Sequence, residues 1–204
     1  DAVQAFGHIK IDVKKIGADM LSASSHKFHG PKGCGFLYAD KNTGIKPFIY
    51  GGGQERGQRS GTENVPGILG MVKAAEISHR IMDENNRKLR KINDYMTDRI
   101  LNEIDDCICN GNRENRLSNN INVSFGNIDG KALLVLLDME GVYVSGASAC
   151  NGGKEKSYVL SSLGVPEKYA DGTIRMTMDY TMNMKQADYV LNVLKKCVNY
   201  LRKK

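Results

Sequence analysis

Short runs of apolar or small residues, Ala18 to Ser24 and Cys34 to Ala39, flank the turn-forming His29-Gly30-Pro31-Lys32-Gly33. That pattern predicts strands joined by a tight turn. Beyond Gly51-Gly52-Gly53 and a cationic segment holding Arg56 and Arg59, Ser60 and Glu63 have the spacing of a capping box, which predicts a helix starting there. Val65, Ile68, Leu69 and Val72 then recur at helical spacing, with Pro66 where a first turn tolerates it. A polar break at Asp83 to Asn86 precedes a second helical pattern, Leu89, Ile92, Met96 and Ile100, whose opposite face is filled by Lys and Arg and reads as solvated. After Cys107 the texture changes. Ile121, Val123 and Phe125 alternate as a strand does, an apolar run covers 132–137, further strands are expected near Tyr143 and over Thr173 to Met178, and Val190, Leu191, Leu194, Val198 and Leu201 mark one face of a last helix. The whole reads as an α/β protein of two units, 1–84 and 85–204, with no internal repeat.

Composition adds exclusions. The 204 residues carry 29 Lys plus Arg against 23 Asp plus Glu, a surplus of +6 spread along the chain with no block of like charge, too dilute for a phosphate-tracking surface, so no nucleic-acid partner is expected. The longest apolar run is far short of the roughly 20 residues a membrane helix requires, so no membrane partner is expected either. Five cysteines at irregular spacing argue against a disulfide framework and for a reducing, cytoplasmic compartment. Cys107 and Cys109 fall on one face of a strand but lack the second ligand pair of a zinc site, and read as structural; no metal is expected. The first residue is Asp1, with no leader after it, which leads us to expect processing or truncation upstream.

The stretch with the most chemistry is Ser22-Ala23-Ser24-Ser25-His26-Lys27, followed by the glycine-bearing turn. A lysine at a strand end, beside hydroxyls, a histidine and close-approach glycines, suits a Schiff base next to a bound phosphate. A solvated loop lysine is the alternative. Cys150 lies among small residues, Ser145 to Cys150, and is followed by Asn151-Gly152-Gly153-Lys154, a setting in which nearby positive charge favours the thiolate. His8, His29 and His79 receive no role; His8 has no partner visible in the sequence.

Four separated segments, Asp1-Ala2-Val3-Gln4, Ser24-Ser25-His26-Lys27, Gly51 to Thr62 and Ser145 to Cys150, occur in the order seen in cysteine desulfurases. The chain resembles the C-terminal half of a group I enzyme of that family, within the class-V aminotransferases. The resemblance implies the fold-type I architecture of pyridoxal-phosphate-dependent transferases, residues 1–84 being the C-terminal part of the large cofactor-binding domain and 85–204 the small domain with the catalytic cysteine loop. It also implies conversion of L-cysteine to L-alanine by a homodimer, with a persulfide on Cys150 and sulfur delivery to an iron–sulfur scaffold or another acceptor protein.

Carried over by that resemblance, Lys27 matches the lysine that holds pyridoxal phosphate, Asp1 the partner of the ring nitrogen, and Gln4 the partner of the phenolic oxygen. Ser24 and His26 match phosphate ligands, Thr62 a phosphate ligand reaching the other subunit, Arg175 the ligand of the substrate carboxylate and Cys150 the nucleophile. Asp179 and Tyr180 stand where the family pattern leads one to expect a glycine-bearing turn. Two other readings stay open: a different fold-type I enzyme, aminotransferase or selenocysteine lyase, independent of Cys150; and an inactive fragment serving as an interaction module. By the same resemblance this half alone is expected to be inactive.

Overall fold

The structure, a computed structural model, describes residues 1–146 and 157–203. The chain divides into two compact units, Asp1–Glu84 and Asn85–Lys204.

In the first unit, strands β1 (Met20–Ser24) and β2 (Gly35–Ala39) form an antiparallel pair with Ser24 opposite Gly35. A single 3-10 turn, Ser25–Phe28, follows β1 and closes on His29 in the left-handed conformation. A second 3-10 turn spans Glu55–Gly57. The core here is small: among the described residues Ala23, Phe28, Met71 and Ala74 form one buried cluster.

Helix α1 runs over Val65–Glu103 without interruption. The sequence pattern predicts two helices parted at Asp83 to Asn86, but that stretch contains neither proline nor glycine, and polar residues alone do not stop hydrogen-bonded propagation. The helix also begins later than the expected Ser60–Glu63 box. Asn64 caps it, its Oδ1 accepting from the Gly67 amide at 3.1 Å. Of the residues at helical spacing in its first turns, Val65, Leu69 and Val72 are exposed.

The second unit is built on a three-stranded antiparallel sheet in the order β3 (Cys107–Cys109), β4 (Asn120–Phe125), β5 (Thr173–Thr177). Alternation sorts its faces. Ile121, Val123, Phe125, Ile174 and Met176 enter a core completed by Leu89, Ile92, Met96 and Ile100 of α1, by Leu133 and Leu137 of α2 (Gly130–Met139), and by Leu191, Leu194 and Val198 of α5 (Met184–Arg202). Two short helices, α3 (Tyr158–Ser162) and α4 (Glu167–Ala170), precede β5. Near Tyr143 no strand forms; instead Ser145 makes an isolated bridge to Arg175. Asp129 caps α2 by accepting from the amides of Lys131 and Ala132, and Asn183 and Gln186 form a capping box at α5. Among the described residues no helix is long and apolar enough to cross a membrane.

Substituting proline at Asn85 separates one continuous helix from two. With a continuous α1 the variant loses a backbone bond and clashes with the preceding turn, and thermal unfolding followed by circular dichroism should show a loss of about 3 kcal/mol or more. A tolerated proline would indicate a natural break there.

Candidate functional site

The turn that carries Lys27 is fixed by its backbone and open at its side chain. Phe28 is buried to 1% exposure, its ring meeting Phe6 edge-on at 4.9 Å, and Phe6 in turn meets Phe36 of β2 at 5.0 Å. Burying such a ring is worth roughly 1.5–3 kcal/mol. The Lys27 carbonyl takes a hydrogen bond from His8 Nε2 at 3.2 Å, and the Phe28 carbonyl takes one from Ser78 Oγ of α1 at 3.3 Å. Ser25 is fully buried; its amide donates to the Cys34 carbonyl and its carbonyl accepts from the Gly30 amide, both at 3.0 Å. Lys27 itself is exposed. His8 therefore has the partner that the sequence does not reveal, a backbone carbonyl 19 residues away.

Two glycines shape this turn. A Cβ on Gly30 would lie 2.1 Å from Ser25 Oγ, and one on Gly35 would lie 2.7 Å from the Ala23 carbonyl oxygen. At Gly35 the neighbour is backbone, and at Gly30 it is the side chain of the buried Ser25, so neither position has room for a Cβ as the turn stands.

Ser24 and His26 stand together, Ser24 Oγ lying 2.9 Å from His26 Nδ1. If Nδ1 carries a proton and donates it to Ser24 Oγ, the serine hydroxyl proton is directed outward. Asp1 sits beside the same strand, because the Ala2 amide donates to the Ser22 carbonyl at 2.9 Å, and its carboxylate accepts from the Val3 amide at 2.7 Å. Gln4 is exposed in the turn that follows. A hydroxyl, an imidazole and an exposed lysine on one turn make a donor set that fits a phosphate-bearing aldehyde: the amine for the carbonyl carbon, the donors for the anion.

Thr62 is exposed and lies ahead of α1, not in its first turn. Its expected place at a helix start fails, and the donors of that helix end are served by Asn64. Ser60, the other half of the expected box, is buried, its amide donating to the Ile49 carbonyl at 3.3 Å.

Arg175 belongs to the second unit. It is half-buried on the sheet face opposite the apolar core, paired in register with Asn122 of β4. The Asp179–Tyr180 departure from a glycine turn has a simple outcome: Asp179 Oδ1 accepts from the Thr181 amide at 2.7 Å, an Asx turn that leads into the cap of α5. Cys150 lies outside the described residues. Cys107 donates its thiol to the Ile104 carbonyl at 3.0 Å, and burial pushes its pKa and that of Cys197 up, away from thiolate chemistry. Among the described residues no cluster of His, Cys, Asp or Glu is arranged to hold a metal.

Comparison with known proteins places this geometry. Residues 1–190 match the model of the family described as Aminotransferase class-V. The chain is 46% identical over 203 residues to the cysteine desulfurase IscS of Dictyoglomus turgidum, covering 99% of this chain and 52% of that protein. It is likewise 46% identical over 203 residues to the cysteine desulfurase IscS of Methanosarcina thermophila, covering 99% of this chain and 50% of that one. A solved structure of a NifS-like protein superposes with a TM-score of 0.89 at 37% identity, over 98% of this chain and 52% of the other. A NifS-like protein from Rickettsia africae gives 0.87 at 30% identity with the same coverage. The chain thus spans about half the length of the curated relatives it matches, and the expected fold-type I class holds.

If Phe28 anchors the lysine turn, Phe28→Ala should destabilise the first unit by about 3–5 kcal/mol, while His8→Ala, which removes the hydrogen bond to the Lys27 carbonyl, should cost about 1 kcal/mol or more. Urea unfolding of the two variants measures both. An unchanged midpoint for Phe28→Ala would mean that the ring does not hold the turn.

Proposed function

The chain belongs to the class-V aminotransferase family, whose members depend on pyridoxal phosphate, and from that premise we propose that the whole protein is a cysteine desulfurase. It would convert L-cysteine to L-alanine and pass the sulfur, through a persulfide on Cys150, to an iron–sulfur scaffold or another thiol acceptor. The observation that carries the reading is the turn at Lys27, a backbone pinned by Phe28, His8 and Ser78 beneath an exposed amine flanked by Ser24 and His26. The names of the relatives support the choice of activity within the family.

When bound, the cofactor supplies an electron sink for the pair left behind as the α-proton departs. The remaining work falls to side chains. Lys27 would hold the cofactor at its aldehyde carbon, and its amine, when free, would move the α-proton. Asp1 keeps a proton on the ring nitrogen and Gln4 donates to the phenolic oxygen. Ser24 and His26 hold the phosphate, joined by Thr62 of a second copy. Arg175 takes both oxygens of the substrate carboxylate in its planar fork. The Cys150 thiolate attacks the substrate sulfur; the carbon–sulfur bond breaks, a sulfur–sulfur bond forms, and protonation of the carbon leaves alanine.

A homodimer is part of this reading. The exposed stripe Val65, Leu69 and Val72, at 55%, 64% and 48% exposure, follows directly on Thr62 and is the apolar surface that a second copy would cover. A reducing compartment such as the cytoplasm suits a working thiolate.

The test uses the whole protein. Borohydride reduction followed by peptide mapping should find the pyridoxyl group on Lys27, and Cys150→Ser should abolish alanine release from cysteine while the corresponding changes at Cys34, Cys107, Cys109 and Cys197 preserve it. A pyridoxyl adduct on another lysine refutes the cofactor assignment. Full desulfurase activity in Cys150→Ser refutes the nucleophile.

A further inference from the structure

The polar face of the three-stranded sheet carries a chain of hydrogen bonds that runs in one direction when Thr173 donates to the Tyr169 carbonyl. Thr173 Oγ1 donates to the Tyr169 carbonyl at 3.2 Å and so spends its one proton. Ser124 Oγ lies 2.6 Å from Thr173 Oγ1, and the serine hydroxyl must be the donor of that pair. Ser124 Oγ is then an acceptor, and Asn110 Nδ2 donates to it at 2.7 Å. The same Nδ2 gives its second hydrogen to Asn122 Oδ1, also at 2.7 Å. Ser124, Thr173 and Asn110 are all buried, the chain ends on a backbone carbonyl, and Asn110 Oδ1 is left buried without a partner among the described residues. In this order Asn122 turns its amide oxygen toward Asn110 and its NH2 the other way.

That other way is toward β5. Asn122 stands opposite Arg175 in register, and the backbone bonds say which kind of pair this is. Arg175 uses both its amide and its carbonyl on Ser145, at 2.6 and 3.0 Å, and the Asn122 carbonyl accepts from the Asn110 amide at 2.9 Å. Neither strand spends these groups on the other, so Asn122 and Arg175 form a non-hydrogen-bonded pair, the kind with Cα atoms about 4.5 Å apart and side chains in closest approach. Both side chains are half-buried and reach solvent. Neither the guanidinium of Arg175 nor the NH2 of Asn122 has a hydrogen-bond partner among the described residues. Among the described residues two donors lie side by side with no acceptor supplied to either.

We propose that Asn122 Nδ2 is a second donor to the carboxylate bound by Arg175, and that Asn110 is the positioning residue that fixes the orientation of the Asn122 amide. The inference rests on the reading of Arg175 as the substrate carboxylate ligand. A carboxylate has about four lone-pair sites, two of which a bidentate guanidinium occupies, so one more N–H has a place to donate. The pair selects a free carboxylate over a carboxamide, whose NH2 would meet donors with a donor.

The experiment uses the whole protein loaded with pyridoxal phosphate. Asn122→Ala should raise KM for L-cysteine about tenfold, the effect of losing one hydrogen bond to a charged group, with kcat within about twofold, and should raise the Kd of L-alanine, which shares the carboxylate, by the same factor. Asn122→Asp is isosteric and carries the test if the alanine variant does not fold. Its carboxylate would pair with Arg175 and compete with substrate, so its KM should rise further. Asn110→Ala should raise KM less than Asn122→Ala, and the double variant should be no worse than Asn122→Ala alone. If Arg175→Gln leaves KM and the alanine Kd unchanged, the reading of Arg175 fails and the proposal fails with it. If Arg175→Gln raises both while Asn122→Ala and Asn122→Asp leave both unchanged, the carboxylate reading stands and the role of Asn122 is overturned. Equal losses of kcat in the Asn110 and Asn122 variants, with KM unmoved, would mean a structural role only and would also overturn it.

Discussion

A side chain that must stay free can be positioned only through its own backbone, and the turn at Lys27 is organised around that constraint. The two kinds of restraint differ in size. The buried ring of Phe28 is worth roughly 1.5–3 kcal/mol, while the hydrogen bonds from His8 and Ser78 contribute on the order of 1 kcal/mol each. Burial therefore decides that the turn stays down on β1 and α1, and the two hydrogen bonds decide how its peptide planes are oriented. Ser24, His26 and Lys27 inherit their places from these anchors, since they make few restraining contacts of their own. Under the proposed role of Lys27, an error of about 1 Å in the lysine would cost the reaction far more than the same error costs stability, and restraints that reach the turn from His8 and Ser78 suit that role.

The second unit solves a similar problem with a sheet. Period-2 alternation sends Ile121, Val123 and Phe125 into the core and turns Asn122 and Ser124 to the opposite face. The apolar face supplies the stability: Ile121, Val123, Phe125 and Ile174 are all at 0% exposure. Because that face holds the strands in register, the polar face can devote its side chains to orientation. There a buried hydroxyl pair, Ser124 and Thr173, and the buried amide of Asn110 hydrogen-bond in one connected chain that reaches Asn122.

Much of this was legible in the sequence wherever one local signal was enough. The strands at Met20–Ser24, Gly35–Ala39, Asn120–Phe125 and Thr173–Thr177 and the last helix follow from spacing, because alternation and the 3.6-residue period are properties of single elements. The start of α1 differs from the expected one because Ser60 and Glu63 satisfy a spacing rule while the cap the fold uses is Asn64, whose partner three residues on is a glycine that matches no such rule. Its continuity was misread because a polar run looks like a boundary in composition, although a helix stops only where its hydrogen bonds stop. In the site, Ser24, His26 and Lys27 were readable as a contiguous motif. The partners of the turn, His8 and Ser78, were not, because nothing within their own neighbourhoods marks a contact 19 or 50 residues away. Asn110 and Asn122 were hidden for the same reason: the register of β3 on β4 makes them a pair, and register is not written in either strand by itself.

Helix α1 shows what spacing does and does not decide. Leu89, Ile92, Met96 and Ile100 recur at the same intervals as Val65, Leu69 and Val72, yet the first set is almost fully buried and the second is exposed. Periodicity fixes which face of a helix is apolar; burial requires something to pack against it. In the second unit that partner is the sheet and α5. In the first unit the buried cluster amounts to Ala23, Phe28, Met71 and Ala74, and Phe48 and Tyr50 stand at 94% and 79% exposure beside the glycine loop. An apolar surface of that size on one unit, and a closed core in the other, divide the stability of the chain unequally. The second unit has the means to hold its own register. The first holds the Lys27 turn on one buried ring, Phe28, and the half-buried Phe6 and Phe36 packed around it, so the part that carries the lysine is also the part whose order depends most on what else covers it.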